Sequence, residues 1–298
     1  MIDQIAQGVL LGGYYALVAC GLSFMYGVMR IINLAHGSFA VLSAFLVWYI
    51  TVHLNVSPFL ALLIVVPIMA AVGWVLQRTV LDRSLRSGPL TPLLSTFGIA
   101  IVIDNLLFER FGADTRSLAP NIGDLSYTSW TMPGGVIVGQ LGLLTLGTAV
   151  VLIVGLQLFL KFTPLGRAIR ATAEDRDTAE LMGINSRAVY AAAAAIALGT
   201  VAIAGMFLGM RTTFEPYAGA AQLIFAFEAV VIGGTGSLWG TLLGAIALGV
   251  AQNLGAELNP QGFLIAGHLL FFFVLAVRFF AAGGFPSGWL RALRRQPA

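Results

Sequence analysis

Apolar residues run along this chain in long blocks, without the strict alternation of strands or the one-sided stripe of a soluble helix. A membrane-spanning helix needs about 20 mainly apolar residues. Blocks of that kind occur near 6–28, 38–54, 58–77, 91–109, 136–160, 188–210, 222–256 and 263–281. The pattern predicts an all-α polytopic membrane protein with about eight transmembrane segments. No linker separates two cores, so residues 1–298 read as one domain. The first block is preceded by no Lys or Arg and is too long for the core of a secretion signal, so it reads as the first span.

The polar connections set the predicted orientation, because Lys and Arg are retained on the cytoplasmic side. Arg78, Arg83 and Arg86 occupy one connection, Lys161, Arg167, Arg170, Arg176 and Arg187 another, and Arg291, Arg294 and Arg295 the tail. These three are expected inside. The connection 110–134 balances Arg110 and Arg116 against Asp114 and Asp124, and the N-terminus carries only Asp3, so both are expected outside.

This orientation requires an even number of crossings between the inner connection at 161–187 and the inner tail, yet three blocks lie there. The middle block is interrupted by Gly233-Gly234-Thr235-Gly236-Ser237, and its first half is too short to cross a core of about 30 Å. A broken or re-entrant helix restores the parity. Irregular backbone at membrane depth needs shielding by protein or a water-filled cavity, so the glycine cluster is expected to face the protein interior. A second interruption, Asn33-Leu34-Ala35-His36-Gly37-Ser38, lies in the first half of the chain. Paired interruptions in two halves point to a transporter's substrate path.

Composition narrows the class further. With 58% hydrophobic and 10% charged residues, the chain has far fewer charges than the roughly 25% of an ordinary soluble domain. The net charge of +3 arises from short Arg clusters between apolar blocks, a distribution set by membrane orientation and not by nucleic acid. The lone Cys20 can form no internal disulfide and reads as a packing residue. Lys161 is the only lysine, and no G-x-x-x-x-G-K-[ST] surrounds it, so no P-loop is expected.

Residues 162–186 carry their own helix signals. Thr163-Pro164 is an N-cap followed by Pro at the first helical position, and Leu165, Ile169 and Thr172 then fall on one face. Asp175 or Asp177 can cap a second short helix through Leu181 and Met182, ended by Gly183, and Asn185-Ser186 caps the next span. A loop of 25 residues with its own caps is uncommon unless functional. It suits docking of a soluble partner.

Three motifs carry a family resemblance. Residues 165–175 (LGRAIRATAED) followed by 181–185 (LMGIN) resemble the coupling loop of branched-chain amino acid ABC transporter permeases of the LivH type. Asn33-Leu34-Ala35-His36-Gly37 is similar to that family's N-[LF]-A-H-G, and Gly233–Ser237 to its G-G-x-G-S. The resemblance implies a type II ABC importer-like subunit of a bacterial inner membrane, with N-terminus periplasmic and C-terminus cytoplasmic. It implies a second permease subunit, identical or different, two cytoplasmic ATP-binding subunits and a periplasmic binding protein. No cofactor is expected, since ATP would be bound by the partners. Leu165, Gly166, Arg167, Arg170, Ala173, Glu174, Asp175 and Gly183 would form the coupling loop. Asn33, His36, Gly37, Ser38, Asn105, Glu228, Gly233, Gly234, Gly236 and Ser237 would border the translocation path. Phe225-Ala226-Phe227-Glu228 departs from an expected Lys-Ala-Phe, and Ser38 stands where relatives carry an acid.

Alternatives stay open for single residues. His36 and Asn33 suit hydrogen bonding to backbone freed at a break, and the glycines suit close helix packing. Glu228 either lines the path or pairs with a neighbouring group. Branched-chain amino acids are the expected solute, with urea, an amide, an aromatic acid or a sugar as rivals. An intramembrane hydrolase using Ser237 and His268 is a remote reading, because G-x-G-S is not a nucleophile elbow.

Overall fold

The computed structural model describes residues 1–88, 90–132 and 135–281. The predicted blocks are helical. They form α1 (Ile2–Met29), α2 (His36–Leu54), α3 (Pro58–Leu76), α5 (Thr91–Phe111), α6 (Gln140–Phe162), α9 (Ser186–Arg211), α11 (Leu238–Leu258) and α12 (Gly262–Ala281). α3 continues through a π-helical turn, Gln77–Leu81, into the single turn α4 (Asp82–Ser84). The block at 222–256 is divided between α10 (Gly219–Gly233) and α11, and the inner connection folds as α7 (Pro164–Glu174) and α8 (Arg176–Leu181). The block near 136 begins later than its apolarity suggests. Val136–Gly139 is a strand, β2, paired antiparallel with β1 (Ser129–Met132), where the β-branched run Val136-Ile137-Val138 favours extended backbone.

α1 and α9 form the centre: their most apolar windows are 89% and 83% buried, against 17% for α5, 22% for α6 and 6% for α12. The central position follows from small residues. A Cβ on Gly8 would stand 2.5 Å from the Val250 Cα, and one on Gly12 2.4 Å from the Ile246 Cα. Only glycine at both lets α1 and α11 meet backbone to backbone, the small-xxx-small contact of membrane helices. The apolar outer faces of α5, α6 and α12 are left for lipid or another subunit.

The molecule has two distinct ends. Arg187 at the start of α9 lies 3.8 Å from Asp82 in α4, so the Arg-bearing connections 78–86 and 161–187 share one end. The N-terminus lies at the other: Asp3 accepts from the Ile137 amide at 3.1 Å, and Arg116 and Phe214 exchange backbone hydrogen bonds of 2.9 Å. The arginines of the tail fall outside the described residues.

The parity problem is resolved by α10. From Arg211 the chain turns back at 212–218, and α10 returns toward the α7 end. α11 leaves again, with Gly236 against Gly27 near the end of α1 and Glu257 3.8 Å from the terminal amine. α12 comes back, where Arg278 donates to the Ile232 carbonyl at 3.1 Å. Four passes therefore follow α8. The 15 residues of α10 span only about 22 Å, and the irregular segment 212–218 supplies the remainder.

Candidate coupling site and helix breaks

α7 and α8 are held by the caps their sequence carries. The Thr163 hydroxyl accepts from the Gly166 amide at 2.9 Å and opens α7. The Asp175 carboxylate accepts from the amides of Asp177 (3.0 Å) and Thr178 (3.2 Å) and from the Thr178 hydroxyl (2.6 Å), opening α8. These bonds, led by the Thr178 hydroxyl, hold the Asp175 carboxyl below the usual range. Gly183 ends the pair at φ +84°, and the Asn185 side chain accepts from the Ala188 amide at 3.1 Å to start α9.

The buried face of α7 is Gly166, Ile169 and Thr172, with Leu165 turned to its exposed edge. The reason is the closeness of α6. A Cβ on Gly166 would lie 2.3 Å from the Phe159 carbonyl oxygen, so the face centres on the residue without a side chain. Arg167 is exposed and donates to the Phe162 carbonyl at 3.2 Å, and Glu174 is exposed. At the tip, Leu181 and Met182 are 87% and 79% exposed. The Ser186 hydroxyl and the Arg176 guanidinium both donate to Glu180, and these bonds, led by Ser186, hold its carboxyl below the usual range. The pair is thus a rigid element that presents apolar side chains away from its own bundle.

Two motifs that the sequence keeps apart meet at this element. A crevice of about 400 Å³ is bordered by Ile169, Arg170 and Ala173 of α7, by Gly27 near the end of α1, and by Gly236 and Ser237. The sequence predicts that the turn Gly233–Ser237 faces the protein interior, and it does not. Thr235, Gly236 and Ser237 are exposed, with Gly234 and Gly236 at φ +100° and +82°. Because α10 starts deep, its 15 residues end level with Gly27, at the α7 end of the bundle. Gly233 and Gly240 lock the hairpin: a Cβ on Gly233 would lie 1.9 Å from the Gly240 carbonyl oxygen. The Ser237 hydroxyl caps α11, accepting from the Gly240 amide at 3.1 Å.

The first break lies deeper. Arg30 adopts a left-handed conformation (φ 57°), the chain doubles back, and the Asn33 side chain accepts from the Ala35 amide at 3.0 Å. His36 is fully buried, its Nε2 2.8 Å from the Val18 carbonyl oxygen, so α2 begins level with the middle of α1. From Val18 to Gly27 is about 14 Å along a helix. The two Gly-containing motifs therefore mark different depths and do not touch. Asn33, His36, Gly37 and Ser38 are buried in packing, and Leu34 donates its amide to the Thr96 hydroxyl of α5 at 3.1 Å.

The counterpart of the first break is one the sequence reading missed. Gly219, the first residue of α10, abuts Gly37, the second of α2: a Cβ on Gly37 would lie 1.9 Å from the Gly219 carbonyl oxygen. Two helix N-termini meet inside the bundle. The signal is Pro216 followed by Gly219 just after the sixth block. Asn105 is exposed on α5 and accepts from the Tyr217 hydroxyl at 3.3 Å, which ties it to this second break. Glu228 is buried and lies 2.5 Å from Nδ1 of His268 on α12, so it pairs within the chain. Ser237 and His268, each engaged elsewhere, share no hydrogen bond among the described residues.

A family model described as branched-chain amino acid transport system / permease component matches residues 4–278. The high-affinity branched-chain amino acid transport system permease protein BraD of Pseudomonas aeruginosa is 32% identical over 270 residues, covering 86% of each chain. The permease protein LivH of Escherichia coli, of the same description, is 32% identical over 273 residues, again covering 86% of each. A shorter match, 35% over 101 residues, is to the ribose import permease protein RbsC of Haemophilus influenzae, covering 32% of this chain and 31% of that one.

Proposed function

The chain belongs to the family of branched-chain amino acid transport system permease components and is a permease subunit of an ABC importer. From that premise we propose that it carries branched-chain or related hydrophobic amino acids into the cytoplasm of a bacterium. In this reading the α7–α8 end is cytoplasmic and the N-terminal end periplasmic. Two ATP-binding subunits supply the nucleotide site and dock on α7 and α8. A second permease subunit covers part of the apolar flank of α5 and α12, and a periplasmic binding protein delivers solute at the N-terminal end.

The observation that carries this reading is the capped helix pair at 164–181, with Leu181 and Met182 held out from the bundle. ATP binding that draws two such pairs together would rotate each subunit as a rigid body. The crevice between α7 and the Gly233–Ser237 turn gives that motion a direct contact with α10 and α11. Those helices lead to the junction of Gly219 with Gly37, where opening and closing of a path would occur. Glycines at these contacts leave no side chains to resist sliding.

The test is uptake by the permease pair and its ATP-binding subunits in proteoliposomes, with binding proteins presenting leucine, valine, phenylalanine, urea or ribose. ATP-dependent uptake of leucine and valine is expected. Uptake confined to ribose or urea would replace the substrate assignment, and uptake that persists without the ATP-binding subunits would sink the coupling scheme.

A further inference from the structure

One cation inside the bundle has no anionic partner among the described residues. Arg211 ends α9 with its guanidinium half-buried, and no described carboxylate or carbonyl accepts from it. Its contact is the face of Tyr14, 5.6 Å from the ring centre. It borders a cavity of about 350 Å³ between α1, α9, α10, α11 and the start of α12, at the N-terminal end and away from α7. That size lies within the range of small-molecule sites, about 300–1,000 Å³.

Donors and acceptors around the cavity are already sorted. The Tyr14 hydroxyl donates to Gln222 Oε1 at 2.5 Å, which leaves the Gln222 amide nitrogen as a donor in the same cavity lining as Arg211. Gln7 and Asn253 donate their amide nitrogens to the carbonyls of Ile137 (2.6 Å) and Gly249 (3.0 Å), which leaves their side-chain oxygens as acceptors. Phe225 and Phe263 supply apolar wall. A planar guanidinium and an amide donor lining one cavity match a carboxylate, and two amide oxygens match an ammonium.

We infer that this cavity receives the transported solute, with its carboxylate on Arg211 and the Gln222 amide and its ammonium toward Gln7 and Asn253. The inference rests on the amino-acid reading above and names the group by which the permease recognises its cargo. Gln222 lies in the first turn of α10, three residues beyond the Gly219–Gly37 contact, so occupancy bears directly on the junction of the broken helices. The phosphate of a lipid headgroup has the same oxyanion chemistry, and the experiment separates the two sources.

The purified permease in detergent is labelled with phenylglyoxal, and modification of Arg211 is followed by mass spectrometry with leucine, isovalerate, isoamylamine or phosphatidylglycerol present. Leucine and isovalerate are expected to slow labelling severalfold, isoamylamine not at all. In parallel, Arg211→Gln and Arg211→Lys are assembled with their partners in vesicles of phosphatidylcholine alone. Arg211→Gln is expected to raise the half-saturating leucine concentration at least tenfold, and Arg211→Lys to recover part of it. Equal labelling with and without carboxylates, or unchanged half-saturation in Arg211→Gln, overturns the inference. So does protection by phosphatidylglycerol alone, which would make the site a lipid anchor. If the wild type carries no leucine yet isovalerate protects Arg211, the substrate reading fails while the carboxylate site stands.

Discussion

Gly166→Ala puts one methyl group where α7, the proposed docking helix, packs on α6. The added carbon would stand 2.3 Å from the Phe159 carbonyl oxygen and 2.6 Å from the Leu160 Cα, both backbone atoms that no rotamer change can move aside. Restoring an ordinary separation of about 3.4 Å requires a shift of about 1.1 Å. Gly166 lies about 4.5 Å along the helix from the Thr163 cap, so a tilt about that cap would be about 14°. Across 11 residues, about 16 Å, the far end of α7 then moves by about 4 Å. A rigid shift instead displaces the whole helix by the smaller amount. Overpacking of this kind costs about 1–3 kcal/mol. If docking demands the native position of α7, affinity for the ATP-binding subunits falls by about 5- to 150-fold. The assays are pull-down of those subunits and ATP-dependent uptake, with a spin label at exposed Leu181 reporting displacement relative to one at Ile2. A variant that docks with unchanged affinity, transports normally and shows no shift at Leu181 would refute the reasoning.

Other perturbations test neighbouring links. Thr163→Ala removes the hydroxyl that accepts the Gly166 amide, so α7 should lose about 1 kcal/mol; faster amide exchange at 164–168 with unchanged exchange in α9 checks it. The depressed carboxyl of Asp175 gives α8 stability that is present above the unfolded aspartate pKa and lost as pH falls through the folded value. Intrinsic-rate-corrected exchange in 176–181 should therefore rise only in the acid range, and Asp175→Asn should reduce that pH dependence to the part carried by the depressed carboxyl of Glu180. His268→Ala strands the buried Glu228 carboxylate and should destabilise the chain by about 1–3 kcal/mol. Adding Glu228→Gln should recover most of that loss in thermal unfolding, and a strictly additive double variant would show that the pair does not interact.

Much of the architecture was legible because lipid imposes length and apolarity on each span. All eight blocks correspond to helices, and Thr163, Asp175, Gly183 and Asn185 perform the capping that their residue types allow. Local rules served there because caps act within a few residues. Depth was less legible. Gly233–Ser237 looked like an interior break, yet where a turn sits depends on where α10 starts, and that depends on the contact of Gly219 with Gly37 across 182 positions. The second buried helix start went unseen because 212–218 resembles any polar connection. Asn33 and His36 suit either a path or the backbone freed at a break, and the second use is the one seen: Asn33 accepts from the Ala35 amide, and His36 Nε2 lies against the Val18 carbonyl oxygen. Arg211 drew no notice because its isolation from every described carboxylate is a property of three dimensions.

The docking role of α7 and α8 is tested most directly by a photo-crosslinking side chain at Leu181, introduced one position at a time with a control at Leu63 on the outer face of α3. Both sites are exposed in the isolated chain, but only Leu181 belongs to the proposed docking tip. In the assembled transporter, irradiation is predicted to join Leu181 to an ATP-binding subunit, with a yield that changes when ATP is trapped, while Leu63 joins lipid. Crosslinks from Leu181 to the periplasmic binding protein, or to lipid alone, would contradict the account.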